Sequence, residues 1–576
     1  MRKAVLMLLS LLLLCAALVG TYQWINALVL SIYGYRSPMK GTPTLNNDIT
    51  HPLTAQVVLV VVDGLRYDSS FQMPYLNSLR LRGAHARLIA DPPANLQTAW
   101  TTLLTGAGPE INDAPFFDRD YELIMPIAID HIFATLRRAG LTAGIAGFHW
   151  WEKLVPPDLL YVKYFVDAED DAADREVVEH VLTFLREFHP NFLLVNLRQL
   201  DVAALQYGAT SDEYHQALLR CDGYIRTLAT NMDLQHSVLI ILSSHGHLDS
   251  GGYGGNEAVI LNTPFVMLGQ NVASGDRGTV SQVDVAPTLA ALLGTPMPSL
   301  AQGNLRTDML KMEAMDKAEK WLALAHQRYR FGSMYLYSIG QGLLSETAQG
   351  DMLVAASSLQ VKNYESAANL ASLSVEQANL EMRRARRARL WKERTQRAIP
   401  LVLFVFLPLW WIWRKRSWRT FWCLLAALFA AALYHLLFLR QGNVYSFSHI
   451  PAGGFAALLN PSLKRAAICL VVGGLIVLWR TWHEQERSAS AVALCSYGYA
   501  LLQLYFIGLL LGACTLWNGW RFTWYLPNLT ITYLQIVSLM QAMLIAVLSI
   551  PLLIPLCILQ RGLLALSDWL ARKQHP

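Results

Sequence analysis

The ten residues Val57–Arg66, VVLVVVDGLR, decide the fold. The first six are apolar, and five of these are β-branched valines; the run then stops on an acid, Asp63. A short continuous apolar run of this kind predicts a strand that is buried on both faces, as in a parallel sheet covered by helices. Such sheets bind ligands at the carboxyl ends of their strands. Asp63 is therefore a candidate metal ligand.

Two later segments repeat this pattern of an apolar run that ends near a metal-binding side chain. Asn191–Asp201 (NFLLVNLRQLD) ends on Asp201, and Ser237–Gly246 (SVLIILSSHG) leads to His245. Carboxylate and imidazole groups are common ligands of zinc. We expect Asp63, Asp201 and His245 to meet at one edge of the sheet, and His247 and Asp249 are further candidates because they follow His245 closely.

Strands alternate with helical patterns through the region that surrounds these residues, which predicts an α/β fold with a mostly parallel sheet flanked by helices. The predicted strands are Val57–Val62, Gly144–Gly147, Phe192–Asn196, Val238–Leu242 and Phe265–Leu268. The predicted helices are Pro74–Arg82, His131–Ala139, Glu176–Phe188, Asp212–Leu228 and Val283–Leu293.

The two ends of the chain are too apolar for a soluble protein, and they raise the hydrophobic content to 53%. Residues 4–20, after Arg2 and Lys3, predict a membrane anchor, which we prefer to a cleaved signal peptide because apolar residues continue to about Tyr33. Five further spans are predicted at Ile399–Trp413, Phe421–Leu439, Ala466–Trp479, Ala491–Leu516 and Ile531–Leu559.

Basic residues between the predicted spans favour a topology with both termini in the cytoplasm and residues 34–396 outside it. The arginine-rich stretch Met382–Arg397 falls on the outer side and disagrees with this rule. The basic residues cluster beside the membrane, and the net charge is a modest +5. This distribution predicts contact with anionic lipid headgroups and not with nucleic acid.

The predicted organisation has five parts. They are an N-terminal anchor (1–33), a linker (34–55), the α/β domain (56–304), a helical stalk (305–396) and a membrane domain of about five spans (397–576). Cys221 is the one cysteine of the predicted soluble region, so that region has no internal disulfide.

Residues 56–300 resemble the alkaline phosphatase superfamily, which includes sulfatases and type I phosphodiesterases/nucleotide pyrophosphatases. Within it they are most similar to the membrane-bound ethanolamine-phosphate transferases that modify GPI anchors. Six motifs in the family's order carry the resemblance: VVDGLRYD (61–68), PYLNSLRLRG (74–83), DPPANLQTAWTTLLTG (91–106), LDVAALQYG (200–208), SHGHLDSGGYGG (244–255) and VDVAPTLAALLG (283–294).

The resemblance implies two metal ions, usually zinc, that clamp the phosphoryl group while a Thr or Ser attacks it. Asp63, Asp201 and His245 match three of the family's seven site positions. The other four positions hold residues unsuited to these roles: Leu96 at the nucleophile, Ser244 at a carboxylate, and Leu205 and Tyr253 at two histidines. Neither ion keeps the three ligands that it needs, so the resemblance implies a degraded site.

Three hypotheses remain open. The first is a pseudoenzyme that serves as a membrane-anchored binding or assembly module. The second is a phosphoester hydrolase or phosphotransferase with a rebuilt site, in which Asp63, Asp201 and His245, helped by His247 or Asp249, hold one zinc or other divalent ion. Its nucleophile would be a metal-bound water, Thr101, or Thr98 if the alignment slips by two residues.

The third hypothesis is a lipid-handling role of the membrane spans. In every case we expect membrane lipids as partners and a lipid or glycolipid phosphoester as a candidate ligand. A divalent metal is the expected cofactor of an active enzyme, and a pseudoenzyme needs none. The residues predict no organic cofactor.

Overall fold

A computed structural model describes residues 2–41, 44–415, 418–449, 459–483 and 489–574. The chain divides into two compact units. The helical unit comprises Met1–Ser31, Leu390–Phe522 and Pro527–Pro576. The α/β unit comprises Ile32–Arg389 and Thr523–Leu526.

The α/β unit is built on one eight-stranded sheet in the order β4-β3-β5-β1-β6-β7-β2-β8. The strands are β1 (Gln56–Val62), β2 (Ala84–Ile89), β3 (Ala143–Phe148), β4 (Val162–Val166), β5 (Phe192–Leu197), β6 (Ser237–Leu242), β7 (Asn262–Gly269) and β8 (Gly275–Ser281). Strand β7 is antiparallel to both of its neighbours, and all other pairs are parallel. The predicted mostly parallel sheet is confirmed.

Helices cover both faces of this sheet. They are α2 (Pro74–Arg82), α3 (Leu96–Thr105), α4 (Ile132–Arg138), α5 (Trp150–Leu154), α6 (Asp171–Thr183), α7 (Gln199–Tyr207), α8 (Asp212–Thr230), α9 (Ala258–Leu261) and α10 (Val285–Leu293). A single π-helical turn, Phe184–Phe188, extends α6.

Strand β1 shows why its sequence is continuously apolar. Val57, Leu59 and Val61 pack into one hydrophobic cluster, whereas the intervening Val58, Val60 and Val62 pack into a second cluster on the opposite face. All six side chains are fully buried. Each buried side chain of this size contributes about 1.5–3 kcal/mol, so the strand is a central element of both cores.

Among the described residues of the sheet and its flanking helices, the sequence prediction missed three strands (β2, β4 and β8) and four helices (α3, α5, α7 and α9). Strands β4 and β8 lie at the two sheet edges and carry polar, partly exposed residues, which hides the apolar signal of a strand. Helix α3 is wholly buried although four of its ten residues are threonine. Threonine is a poor helix former, and here tertiary packing overrides that preference.

Three longer helices follow the sheet: α11 (Ala314–Ser338), α12 (Glu346–Gln360) and α13 (Tyr364–Lys415). They correspond to the helices predicted for the stalk. Helix α13 continues without interruption past residue 396, where the prediction placed the end of the stalk.

The helical unit contains α1 (Arg2–Tyr33), α14 (Trp418–Arg440), α15 (Leu459–His483), α16 (Ala489–Asn518) and α17 (Leu529–Gln574). Among the described residues, three stretches are long and apolar enough to cross a membrane, namely Cys15–Tyr33, Leu459–Ile476 and Leu529–Leu548. Leu424–Arg440 and Tyr505–Asn518 are shorter apolar helices. A count of six spans and the orientation of the chain stay predictions.

Candidate functional site

Three neighbouring parallel strands deliver the predicted site residues to one edge of the sheet. Strand β1 lies between β5 and β6. Asp63 follows β1 directly, Asp201 lies in the first turn of α7 after β5, and His245 follows β6. All three residues are 0% exposed, so any chemistry here takes place inside the protein.

Asp201 forms a compact group with two histidines. His245 Nε2 lies 3.7 Å from Asp201 Oδ1, and His247 Nε2 lies 2.7 Å from the same oxygen. One ligand atom from each of the three residues lies within 4.8 Å of the others. Asp249 does not join this group, because it is largely exposed and forms an ion pair with Arg66.

Asp63 is not part of the group formed by Asp201 and the two histidines, and neutral side chains donate hydrogen bonds to it. Its Oδ1 accepts hydrogen bonds from the Trp100 indole nitrogen (3.1 Å) and from the Ser244 hydroxyl, and its Oδ2 accepts one from the Asn196 amide (2.7 Å). Ser244, at the position where the resemblance implies a carboxylate, thus donates a hydrogen bond to Asp63. Burial raises the pKa of Asp63 above its usual value.

The guanidinium of Arg198 lies between the two carboxylates. Its Nη1 is 2.7 Å from Asp201 Oδ2 and 3.9 Å from Asp63 Oδ2, and its Nε donates to Glu169 at 2.9 Å. Burial alone would lower the pKa of Arg198, but the facing carboxylates of Asp201, Asp63 and Glu169 raise it above its ordinary value. Burial would likewise raise the pKa of Asp201, yet Arg198 holds it below its usual range.

Sequence reasoning did not identify Arg198. The signal that could have found it is the position of an arginine directly after a buried strand, three residues before Asp201. Residues three apart at a helix lie on the same side. Arg198, which directly precedes α7, contacts the Asp201 carboxylate in this way.

The amino end of α3, where the family resemblance places the nucleophile, is occupied by another acid. Leu96 is the first residue of α3 and is buried. The carboxylate of Asp118 accepts hydrogen bonds from the backbone N–H groups of Leu96 (3.2 Å) and Gln97 (2.8 Å). Burial raises the pKa of Asp118. These N–H groups are thus already bonded within the chain.

The two threonines considered as nucleophiles donate their hydroxyl hydrogens to backbone carbonyls. Thr98 Oγ1 donates to Pro115 at 2.5 Å, and Thr101 Oγ1 donates to Gln97 at 2.7 Å. Neither hydrogen bond is to a general base, which is the partner that activates a hydroxyl nucleophile. The role of Thr98 stays a prediction.

Tyr253 joins the histidine group to Asp118. Its ring stacks on the ring of His245, with centroids 4.3 Å apart and an interplanar angle of 9°, and its hydroxyl donates to Asp118 at 3.0 Å. Burial lowers the pKa of His245 and raises that of Tyr253 well above its ordinary value. The tyrosine at a family histidine position therefore completes an internal polar network.

Two metal ions do not fit these residues. Both oxygens of Asp63 accept hydrogen bonds, Arg198 Nη1 lies against Asp201 Oδ2, and Leu205 is an apolar side chain that is 44% exposed. A second cation beside Arg198 would add repulsion between like charges in a buried site.

A single ion fits these residues better, although not as they now lie. His245 Nε2, which lies 3.7 Å from Asp201 Oδ1, is a buried nitrogen without a hydrogen-bond partner in the described structure, which favours an ion. Zinc bonds of about 2.0–2.2 Å place tetrahedral ligand atoms about 3.3 Å apart. The 2.7 Å between His247 and Asp201 is instead a hydrogen-bond distance.

Comparison with known proteins identifies the domain. Residues 57–321 match the sequence family "Type I phosphodiesterase / nucleotide pyrophosphatase". The catalytic subunit of human GPI ethanolamine phosphate transferase 2 is 26% identical over 312 residues, which are 50% of this chain and 31% of that protein. The catalytic subunit of human GPI ethanolamine phosphate transferase 3 is 24% identical over 275 residues, which are 42% of this chain and 25% of that protein.

Among solved structures, human ectonucleotide pyrophosphatase/phosphodiesterase 5 is similar at 16% identity and a TM-score of 0.38, over 45% of this chain and 100% of that one. The matched segment spans a third or less of the length of the two human transferases. The chain thus carries a type I phosphodiesterase/nucleotide pyrophosphatase domain homologous to those transferases. This confirms the resemblance predicted from the six motifs.

Proposed function

We propose that this chain is a pseudoenzyme: a membrane-anchored relative of the GPI ethanolamine phosphate transferases whose phosphodiesterase-like domain transfers no phosphoryl group. The domain instead serves as a binding or assembly module. The observation that carries this proposal is the position of Arg198, whose guanidinium lies 2.7 Å from Asp201 and 3.9 Å from Asp63.

The charge balance of the site supports the proposal. A two-metal site presents positive charge to the phosphoryl group from both ions. Here the positive charge between Asp63 and Asp201 comes from Arg198, which also pairs with Glu169. A guanidinium has no open coordination position and no bound water to activate. On this proposal, the guanidinium of Arg198 neutralises Asp63 and Asp201, the positions that bind metal ions in the family that the chain resembles.

The surroundings of α3 support the same proposal. Phosphoryl transfer needs donors aimed at the reacting oxygens, and the exposed N–H groups of a helix amino end are well suited to this task. Asp118 occupies two of these N–H groups, and a leucine stands at the nucleophile position. Since Asp63, Asp201 and His245 are fully buried, a substrate phosphate has no contact with them in this conformation.

The ligand class follows from the relatives, which are named as GPI ethanolamine phosphate transferases. We propose a lipid or glycolipid phosphoester as the ligand of this chain, and membrane lipids as its partners. We further propose six membrane spans, with both termini in the cytoplasm and the domain outside it. The candidate spans and the basic loops between predicted spans support this topology.

A second candidate function, a single-metal phosphoester hydrolase, is favoured by His245 Nε2, a buried ring nitrogen near Asp201 that lacks a hydrogen-bond partner among the described residues. Asp201, His245 and His247 would hold the ion. A divalent ion, zinc among the candidates, would supply a Lewis acid when bound. In this function His247 would give up its hydrogen bond to Asp201, and Thr98 would give up its bond to Pro115 if it served as the nucleophile.

Activity assays on the purified full-length protein separate the two functions. The substrates are bis(p-nitrophenyl) phosphate and, for transfer, phosphatidylethanolamine with a glycolipid acceptor, each with added zinc or manganese. We expect the wild type and the Asp201→Asn variant to give the same background rate while an active relative turns over in parallel. Metal-dependent turnover that is lost in Asp201→Asn would establish the single-metal enzyme instead.

A further inference from the structure

The helical unit contains a buried arginine that the sequence analysis did not single out. Arg465 lies on α15 inside the candidate span Leu459–Ile476, and it is 3% exposed. A charged side chain within a membrane span is costly and usually marks a functional site. Arg465 belongs to the helical unit, apart from the phosphodiesterase-like domain.

The contacts of Arg465 are all with neutral groups. Its Nη1 donates to Gln441 Oε1 at 2.6 Å and its Nη2 donates to Ser462 Oγ at 3.2 Å. Its guanidinium carbon also lies 5.3 Å from the ring centre of Tyr434 and 5.2 Å from that of Phe438. Within the described ranges no carboxylate forms an ion pair with Arg465, so its charge has no internal counter-charge there.

Two hydrogen-bond donors in the same cluster are also without acceptors. Arg465 Nε and the Tyr434 hydroxyl are buried and have no hydrogen-bond partner in the described part of the chain. A buried donor without an acceptor destabilises the folded protein. A ligand that accepts hydrogen bonds and carries negative charge would satisfy both donors and the charge together.

We propose that Arg465 binds the phosphate group of an anionic glycerophospholipid, with the Tyr434 hydroxyl as a second donor. A phosphate offers several oxygens to the planar fork of a guanidinium and supplies the missing negative charge. Exposed Lys464 and Arg440, next in sequence to Arg465 and Gln441, add attraction for such a lipid.

Lipid titration of the delipidated full-length protein in detergent tests this site. The probes are dioleoyl phosphatidylglycerol, dioleoyl phosphatidylcholine and inorganic phosphate, and the readouts are native mass spectrometry and the midpoint of thermal unfolding. We expect phosphatidylglycerol to bind and to raise the midpoint well above the other two probes. Arg465→Gln removes the charge-assisted hydrogen bonds from the guanidinium to the lipid phosphate. We expect this variant to bind phosphatidylglycerol about tenfold more weakly, or weaker still.

The matched control is Lys464→Gln, which removes the same charge from the adjacent, exposed position and should bind phosphatidylglycerol nearly as the wild type does. Equal affinity of Arg465→Gln and the wild type would overturn the proposal. So would equal binding of the two lipids, which means that the anionic headgroup is not recognised. A full response to inorganic phosphate alone would indicate a free-anion site and would overturn the lipid assignment.

If Arg465→Gln does not fold, the wild-type comparison of the two lipids and the Tyr434→Phe variant decide the question. Tyr434→Phe removes only a hydroxyl without a partner, so we expect it to fold and to bind phosphatidylglycerol several-fold more weakly. Unchanged binding in Tyr434→Phe, together with no preference for the anionic lipid in the wild type, would overturn the proposal.

Discussion

Arg198 in the α/β unit and Arg465 in the helical unit are two buried arginines with opposite surroundings. Both are less than 10% exposed, and both lie near aromatic rings, Arg198 over Phe148 and Arg465 over Tyr434. Arg198 faces the carboxylates of Asp201, Asp63 and Glu169. Arg465 donates to an amide and a hydroxyl.

The difference shows that a buried arginine whose charge is neutralised within the chain needs no ligand, whereas one without a carboxylate nearby can bind an anion. Removing a guanidinium from water costs several kcal/mol. At Arg198 the chain itself compensates for that cost with carboxylates, which on the proposed function are no longer offered to metal ions. At Arg465 the described chain supplies no such group. On the proposed function, Arg198 closes the site of the α/β unit, whereas Arg465 marks the proposed ligand site of the helical unit.

The largest expected effect comes from removing the cation between the carboxylates. Arg198→Met keeps similar volume but leaves Asp63 and Asp201 buried without their counter-charge. Breaking a buried pair in this way costs about 3–5 kcal/mol. Urea unfolding of the full-length chain in detergent measures the loss. Arg137→Met, in an exposed pair with Asp158, is the control and should cost little. An equally small loss of unfolding free energy in both variants would show that Arg198 does not neutralise the two buried carboxylates.

A double-mutant cycle sharpens the same point. The Arg198→Met, Asp201→Asn double variant removes one cation and one anion together, so it should cost less than the sum of the two single variants. Directly contacting charges couple by about 0.5–3 kcal/mol. The measurement is again the free energy of unfolding. A coupling near zero would mean that the 2.7 Å contact contributes nothing.

A carboxylate added beside Arg465 should give this arginine an internal counter-charge, as Arg198 already has. Gln441→Glu places a negative charge on the atom that already accepts from Nη1 at 2.6 Å. We expect the variant to lose most of its thermal stabilisation by phosphatidylglycerol, since the counter-charge is then internal. Asn443→Asp adds the same charge two residues away and should keep the lipid response. An unchanged response in Gln441→Glu would contradict the comparison.

A further expected effect is a pH dependence of stability at Asp174, whose carboxylate accepts hydrogen bonds from the backbone N–H groups of Arg198 (2.9 Å) and Gln199 (3.2 Å). Burial raises the pKa of Asp174 to about 7, against about 3.9 in an unfolded chain. Its stabilising contribution is complete below the unfolded pKa and is lost as the pH rises through about 7.

Between pH 5 and pH 8 the wild type should therefore lose stability relative to Asp174→Asn, measured by urea unfolding at each pH. Asp158→Asn, at an exposed carboxylate, is the control and should follow the wild type. Parallel profiles of the wild type and Asp174→Asn would show that Asp174 does not titrate in this range.

The fold was largely predictable because its evidence is local. The apolar run of β1 and the acid that ends it are both visible in the sequence, and so are Asp201 and His245 after their strands. The partners of these residues were less visible. His247 could be named only as a neighbour of His245, and the sequence does not show that Asp63 would bond to Trp100, Asn196 and Ser244.

Arg198 and Asp118 were missed for a physical reason. Each contacts residues that are distant in the sequence and that come near only in the folded protein. Arg198 reaches Asp63 only because β5 pairs with β1, and Asp118 reaches the amino end of α3 across 22 residues of chain. Arg465 was missed because the predicted span begins at Ala466, one residue after it, whereas α15 begins seven residues earlier, at Leu459.

Metal analysis of the full-length protein tests the central claim most directly. The protein is purified from medium with added zinc and manganese, dialysed, and measured by inductively coupled plasma mass spectrometry beside Asp201→Asn and His245→Ala. With Arg198 in the place of the ions, we expect zinc and manganese far below one ion per chain in all three proteins. One retained ion per wild-type chain, lost in both variants, would contradict the account.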